Sequence, residues 1–287
     1  MKTLAHEILD IEAEAFEVPQ ACYDTLEDIL AKAGKINVVF AGPRQIFADI
    51  GKLLKESGFS YKQNGLLSHA LETKQLDCKH YSVLYYSIGE MLHLPLHIVR
   101  APMHLFVRWD GGGQVCNWET TSNSQANDFD FNIDEKSRAN GVYLRNLTRK
   151  QAKAVIVYNH GTVKAKKGDF DGAIADFTKA IELNPEYADA YNNRGDAKAD
   201  KGNFEGAIAD FTKAIELDPK YATAYNNRGT VKAKKGDLDG AIADFAKAIE
   251  LDPKYADAYN NRGIVKKAIG DSRGAEKDFE MYERIRK

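Results

Sequence analysis

Apolar residues recur at three- and four-residue steps through LAHEILDIEAEAF, YDTLEDILAKAG and PRQIFADIGKLLKESG, which predicts three amphipathic helices within the first 60 residues. Gly34, Pro43 and Gly58 punctuate them. GLLSHALETKQ predicts a fourth, shorter helix, and LDCKHYSVLYYSIGEMLHLP, Leu76 to Pro95, a fifth that opens on Cys78. The pattern then changes period. LPLHIVRAP is rich in branched residues, MHLFVRWD alternates, GGG turns, and QVCNWETT alternates again, so strands follow with a hairpin at DGGG. The polar stretch NSQANDFDFNIDEKSRANG, with Phe129, Phe131 and Ile133 spaced by two, is expected as a loop bordering a cleft. LTRKQAKAVIVYNHG is expected as a helix common to the two halves of the chain, with no Pro- or Gly-rich linker.

Beyond that helix the sequence repeats. AYNNRG occurs at Ala190, Ala224 and Ala258, GAIADF at Gly172, Gly206 and Gly240, and KAIEL at Lys179, Lys213 and Lys247, all at intervals of 34 residues. Each unit predicts two helices, AYNNRGDAKADKG and FEGAIADFTKAIELDP, with Gly202 and Gly236 at the turn and Pro185, Pro219 and Pro253 closing the unit. This segment resembles the tetratricopeptide repeat over about residues 154–287. Gly195, Ala207 and Ala214 stand where that family packs helices closely, and Phe204 and Phe211 fill the gaps between them. The expectation is an all-α superhelix of three full repeats plus a truncated fourth, ending in EKDFEMYERIRK as a polar capping helix. The resemblance implies a groove that binds a protein or peptide partner through Asn192, Asn226 and Asn260, flanked by Asp189, Thr223, Asp257, Asp196 and Thr230. Thr223 and Asn227 occupy positions where the carboxylate-clamping subclass of the family has Lys and Arg, so a C-terminal carboxylate is not the expected ligand.

The N-terminal half carries the candidate chemistry. A thiol at a helix N-terminus feels roughly half a positive charge, which favours the thiolate. A His on an adjacent strand, His104, can pair with it, and a carboxylate on the next strand, Glu119, can hold the imidazole in one tautomer. LDCKHYSVLYYSIGEMLHLPLHIVRAPMHLFVRW followed by NWETT resembles the transglutaminase-like superfamily of cysteine enzymes. The resemblance implies Cys78 as nucleophile, His104 as base and Glu119 as the third member of a catalytic triad. Leu76 stands where that family has Gly, Glu119 where it has Asp, and Thr120 where it has Pro. Asn117 is a second candidate to orient the ring, as Asn does in papain-like proteases. The oxyanion donors would be the Cys78 N–H and an upstream side chain such as Gln75. A bacterial branch of the superfamily is fused to tetratricopeptide repeats; PMHLFVRW resembles its PGHFLLR, and that branch often lacks the nucleophile.

Composition narrows the classes. The formal net charge is −2 and neither half has the basic excess that phosphate-backbone binding needs, which argues against nucleic acid. No apolar run reaches the roughly 20 residues a bilayer span needs, and no signal peptide is visible. A cytoplasmic setting is therefore expected, with secretion or effector translocation left open. Cys22 and Cys116 are expected as buried small residues. His80, His93 and His97 straddle a helix and its exit, so neither metal nor cofactor is expected. The sequence thus predicts an α+β domain over 1–150, transglutaminase-like or papain-like with a helix packed on an antiparallel sheet, and a repeat domain over 151–287. Two functions compete. One is a cysteine-dependent acyl-transfer enzyme of transglutaminase, amidase or protease type, acting on a protein or peptide recruited by the repeats. The other is a non-catalytic interaction scaffold with a dormant N-terminal domain. The substrate and the oligomeric state are not specified by these residues.

Overall fold

A computed structural model describes residues 2–13, 18–36, 38, 41–61, 67–76, 78–101, 104–119, 124–126 and 146–286. They form two compact units, Met1–Ile156 and Val157–Lys287.

In the first unit, helices α1 (Leu4–Ala13), α2 (Gln20–Ala33), α3 (Pro43–Glu56), α4 (Leu67–Thr73) and α5 (Cys78–Met91) match the five segments with helical period. Their apolar stripes meet in a core that includes Leu4, Ile8, Leu9, Leu26, Ile29, Ile46, Phe47 and Tyr85, all essentially closed to water. Helix α1 is held at its start by side chains of α5 and near its end by its own Glu12. Glu90 and Ser87 accept the otherwise orphaned N–H groups of Leu4 and Ala5 at 2.7 and 2.9 Å, and the buried Glu12 accepts the N–H of Leu67 at 2.6 Å.

Helix α5 ends through His93, a non-glycine residue at φ 55°. The chain then returns along the helix as strand β3. Gly89 permits the close approach, because a Cβ there would come within 2.4 Å of the Leu96 side chain. β1 (Ser60–Tyr61) and β2 (Gln75–Leu76) form a short parallel pair. β3 (Leu96–Ala101), β4 (His104–Gly111), β5 (Gln114–Glu119), β6 (Ser124–Ala126) and β7 (Asn146–Leu147) form one antiparallel sheet in the order β6-β5-β4-β3-β7. The β4–β5 hairpin closes through Gly112 and Gly113, at φ 61° and 74°. A two-residue turn with both central φ positive suits the twist of the strands, and glycine adopts it freely.

The second unit takes up the later part of α6 (Arg149–Lys166). It continues through α7 (Phe170–Leu183), α8 (Ala188–Asp200), α9 (Phe204–Leu217), α10 (Ala222–Lys234), α11 (Leu238–Leu251), α12 (Ala256–Ala268) and α13 (Ser272–Arg286). The second helix of each pair is capped alike: Asp169, Asn203 and Asp237 accept the N–H of Gly172, Gly206 and Gly240 at 2.9 to 3.0 Å. Gly195 and Gly229 sit against Phe211 and Phe245, which are themselves buried, so each pair closes on a ring lying over bare backbone.

Candidate functional site

In the first unit the backbone gathers the three candidate residues at one end. Cys78 is the first residue of α5, His104 the first of β4 and Glu119 the last of β5. A helix of that length spans about 21 Å at 1.5 Å per residue, and β3 spans about 20 Å at 3.3 Å per residue. Running back along α5, β3 therefore ends near the level at which α5 begins, and Ala101 pairs with His104 across the turn. β5 runs antiparallel to β4, so Glu119 lies at that same end. The side chains of Cys78, His104, Glu119 and Gln75, and all of Asp77 and Thr120, lie outside the described residues, as does most of the polar stretch expected as a loop.

The neighbouring positions are described. Arg108 pairs with Asn117 across the ladder, and its Nε donates to Asn117 Oδ1 at 2.6 Å. Arg108 Nη1 donates to Asn146 Oδ1 at 3.3 Å, and Asn146 Nδ2 to Asp110 Oδ2 at 3.1 Å. Asn117, the second candidate for orienting an imidazole, thus accepts from a guanidinium. Trp118 belongs to the opposite face, where its ring stacks on Phe47 at 5.2 Å. Cys22 and Cys116 are buried. Burial pushes the Cys22 thiol up, helped by Glu72 and Glu12, and it pushes Cys116 up against an opposing pull from Arg44. Both therefore stay protonated at neutral pH.

The second unit builds a continuous polar face from the first helix of each pair. Asn193 Nδ2 donates to the Tyr158 hydroxyl at 2.8 Å, Asn227 Nδ2 to Asn192 Oδ1 at 3.2 Å, and Asn261 Nδ2 to Asn226 Oδ1 at 3.0 Å. Asn192 and Asn226 are accordingly buried and tie one repeat to the next, whereas Asn260, at the end of the ladder, is half-buried. The same face carries Asp189, Thr223 and Asp257, and then Thr162, Asp196, Thr230 and Ile264 at one repeated position. Asp196 accepts from Asn227 Nδ2 at 3.0 and 3.1 Å and from Asn192 Nδ2 at 3.4 Å. Burial, with Asp200 beside it, pushes its carboxyl up to about 7 against the opposing Asn192 hydrogen bond.

A second set of charges is internal to the pairs. Arg194 grips Asp210 with two nitrogens at 2.7 and 2.9 Å while Lys198 reaches the same carboxylate at 2.7 Å. Arg228, Lys232 and Asp244 repeat this arrangement, as do Arg262, Lys266 and Asp278. In the first pair Lys164 meets Asp176 at 2.8 Å, and the buried His160 occupies the Arg position. Nothing in the sequence reading singled these residues out, yet their signal was there: Arg, Lys and Asp recur with the 34-residue period.

Residues 158–222 and 211–243 match models described as tetratricopeptide repeat, and residues 229–270 a model described as TPR repeat. The C-terminal part of the chain is thus built of tetratricopeptide repeats. No curated protein matches the chain. Among solved structures it is similar to the crystal structure of MamA, at 25% identity over 54% of this chain and 95% of that one, with a TM-score of 0.45. It is also similar to the TPR domain of OM64 from Arabidopsis, at 30% identity over 41% and 98% with a TM-score of 0.40. A third is the first TPR of Spaghetti (RPAP3) bound to the HSP90 peptide SRMEEVD, at 28% identity over 42% and 94% with a TM-score of 0.41. Among the described residues no helix is long and apolar enough to cross a membrane.

Proposed function

We propose that this protein is an interaction scaffold whose repeat unit holds an extended protein segment against the face made by α8, α10 and α12. The observation that carries the reading is the regular row of Asn, Asp and Thr along successive first helices, at the 34-residue spacing of a tetratricopeptide array. With Asn192 and Asn226 spent on contacts between repeats, the half-buried Asn260 and the Asp and Thr side chains of the row are left to pair with the N–H and C=O groups of an extended backbone, whatever its side chains. Among the described residues Thr230, midway along the face, bonds only its own helix, through the Asn226 carbonyl at 3.0 Å. Thr230→Trp should therefore block the face without unfolding the chain. Peptides selected on the full chain from a random library should lose binding to this variant at an unchanged melting temperature. Selected peptides that bind the variant as well as the parent would place the binding surface elsewhere.

A second reading, cysteine-dependent acyl transfer by a transglutaminase-like N-terminal domain, is supported by the common level of Cys78, His104 and Glu119 in the backbone. Cys78 would attack a carboxamide or peptide carbonyl; as the C–N bond breaks, the His104 imidazolium gives the thiol's proton to the nitrogen, which leaves as ammonia or an amine and leaves a thioester, with Glu119 orienting the ring. Iodoacetamide tests it. A helix-activated thiolate at position 78 labels at pH 6 much faster than Cys22 or Cys116, and equal labelling of all three removes the reading.

A further inference from the structure

The scaffold reading leaves open which segments the face selects. The repeat position held by Asp196 narrows them. Equivalent positions carry Thr162, Thr230 and Ile264, so the fold does not need a carboxylate there. Elsewhere in the unit, Asp210, Asp244 and Asp278 each receive a guanidinium and an ammonium. Among the described residues Asp196 receives only neutral amides, from Asn192 and Asn227. Its negative charge is therefore left without a cation, in a place where solvent only partly reaches it. Asp189 and Asp257 lie on the same face, and Lys166 and Lys234 lie beyond it, a turn further along their helices. Two repeats on, at the position equivalent to Asp196, Ile264 is 54% exposed. Ile174, Ile208 and Ile242 pack against the cores of their own pairs, whereas Ile264, like Ile269 one turn on, offers its side chain to solvent.

Resting on the scaffold reading, we propose that the face selects an extended segment of a partner protein bearing a Lys or Arg that pairs with Asp196 and an apolar side chain that packs on Ile264. Neighbouring first helices stand roughly 10 Å apart, which puts Asp196 and Ile264 about 20 Å apart. An extended chain advances about 3.3 Å per residue, so the two anchors are about six residues apart in the segment.

The groups around Asp196 make binding depend on pH. Asn192 and Asp200 face it from its own helix, Asn227 from α10, and the Tyr221 and Tyr255 phenols from the starts of α10 and α12. None is a cation. Burial, with Asp200, holds the free carboxyl near 7, so a bound cation displaces its proton.

The test is selection from a random twelve-residue peptide library on the full chain, with parallel selections on Asp196→Asn, Ile264→Ser and Thr230→Trp. Peptides competed away by the Thr230→Trp substitution define the face. Among them, Lys or Arg should be enriched about six residues from Leu, Ile or Met. Asp196→Asn should weaken a recovered basic peptide about tenfold and erase the basic preference while keeping the apolar one. Ile264→Ser should do the reverse. For the parent chain, affinity should rise between pH 6 and 8, and in Asp196→Asn it should stay flat. Face-binding peptides without a basic preference, or a preference that survives in Asp196→Asn, overturn the inference and leave the scaffold reading standing. Recovery of no peptide sensitive to Thr230→Trp removes the scaffold reading and the inference together.

Discussion

Two carboxylates in the same repeat array titrate in opposite directions, and the reason lies in their immediate neighbours. Burial alone would raise the Asp278 carboxyl, but Arg262 and Lys266 outweigh it and hold the group below its ordinary range. A depressed folded value contributes stability that is complete above the unfolded value near 4 and is lost as pH falls through the folded one. Asp278→Asn should therefore cost about 2 kcal/mol at pH 7, as expected for charged hydrogen bonds, and the gap to the parent should close as pH falls through the lowered folded value. Urea titrations across pH read both. Asp196 is the converse. Its folded value, about 7, lies above the unfolded one, so ionisation takes stability away as pH climbs from about 4 through 7. Asp196→Asn should thus gain about 1 kcal/mol at pH 8, after allowance for partial solvent access, and nothing at pH 4. A variant more stable than its parent yet poorer at holding a cationic segment is the signature of a charge kept for binding.

At the level of helices and strands, most of the fold was legible because its periods are unambiguous. Five helical stripes, the three strands of the central hairpins and the 34-residue repeat all appear where the sequence puts them. β6, β7 and the β1–β2 pair were not legible, since a strand of two or three residues is too short to show a period and takes its pairing from neighbours remote in sequence. The candidate site divides in the same way. Spacing was enough to place Cys78, His104 and Glu119 on α5, β4 and β5, because element order follows from period. Asn192 and Asn226 were legible as members of a polar face, but their engagement with Asn227 and Asn261 belongs to contacts between repeats, which a single unit's sequence does not contain. Element packing also inverts a propensity rule. Gly to Ala inside a helix ordinarily gains up to about 1 kcal/mol. At Gly229 the new Cβ would meet the Phe245 ring at 2.9 Å and the Ala241 carbonyl oxygen at 3.2 Å. Gly229→Ala should instead cost about 1 to 3 kcal/mol, seen as a lower melting temperature with helix content unchanged below the transition.

Across the whole molecule, stability should be distributed over two cooperative bodies, because their cores are built by different rules. The first unit closes on contacts between residues far apart in sequence: Phe47 from α3 stacks on Trp118 of β5 and lies 6.2 Å from Tyr85 of α5. The second closes on local contacts repeated four times, where each ring covers a glycine of its own pair. Truncating Phe47, which is fully buried, should cost about 3 to 5 kcal/mol, and the loss should be felt where its ring sat. Scanning calorimetry of the full chain should then resolve two transitions. Phe47→Ala should lower one and leave the other in place, while Gly229→Ala should lower only the transition that Phe47→Ala leaves alone. If both substitutions move a single shared transition by amounts that add, the two units fold as one body and the division at Ile156 is geometric rather than energetic.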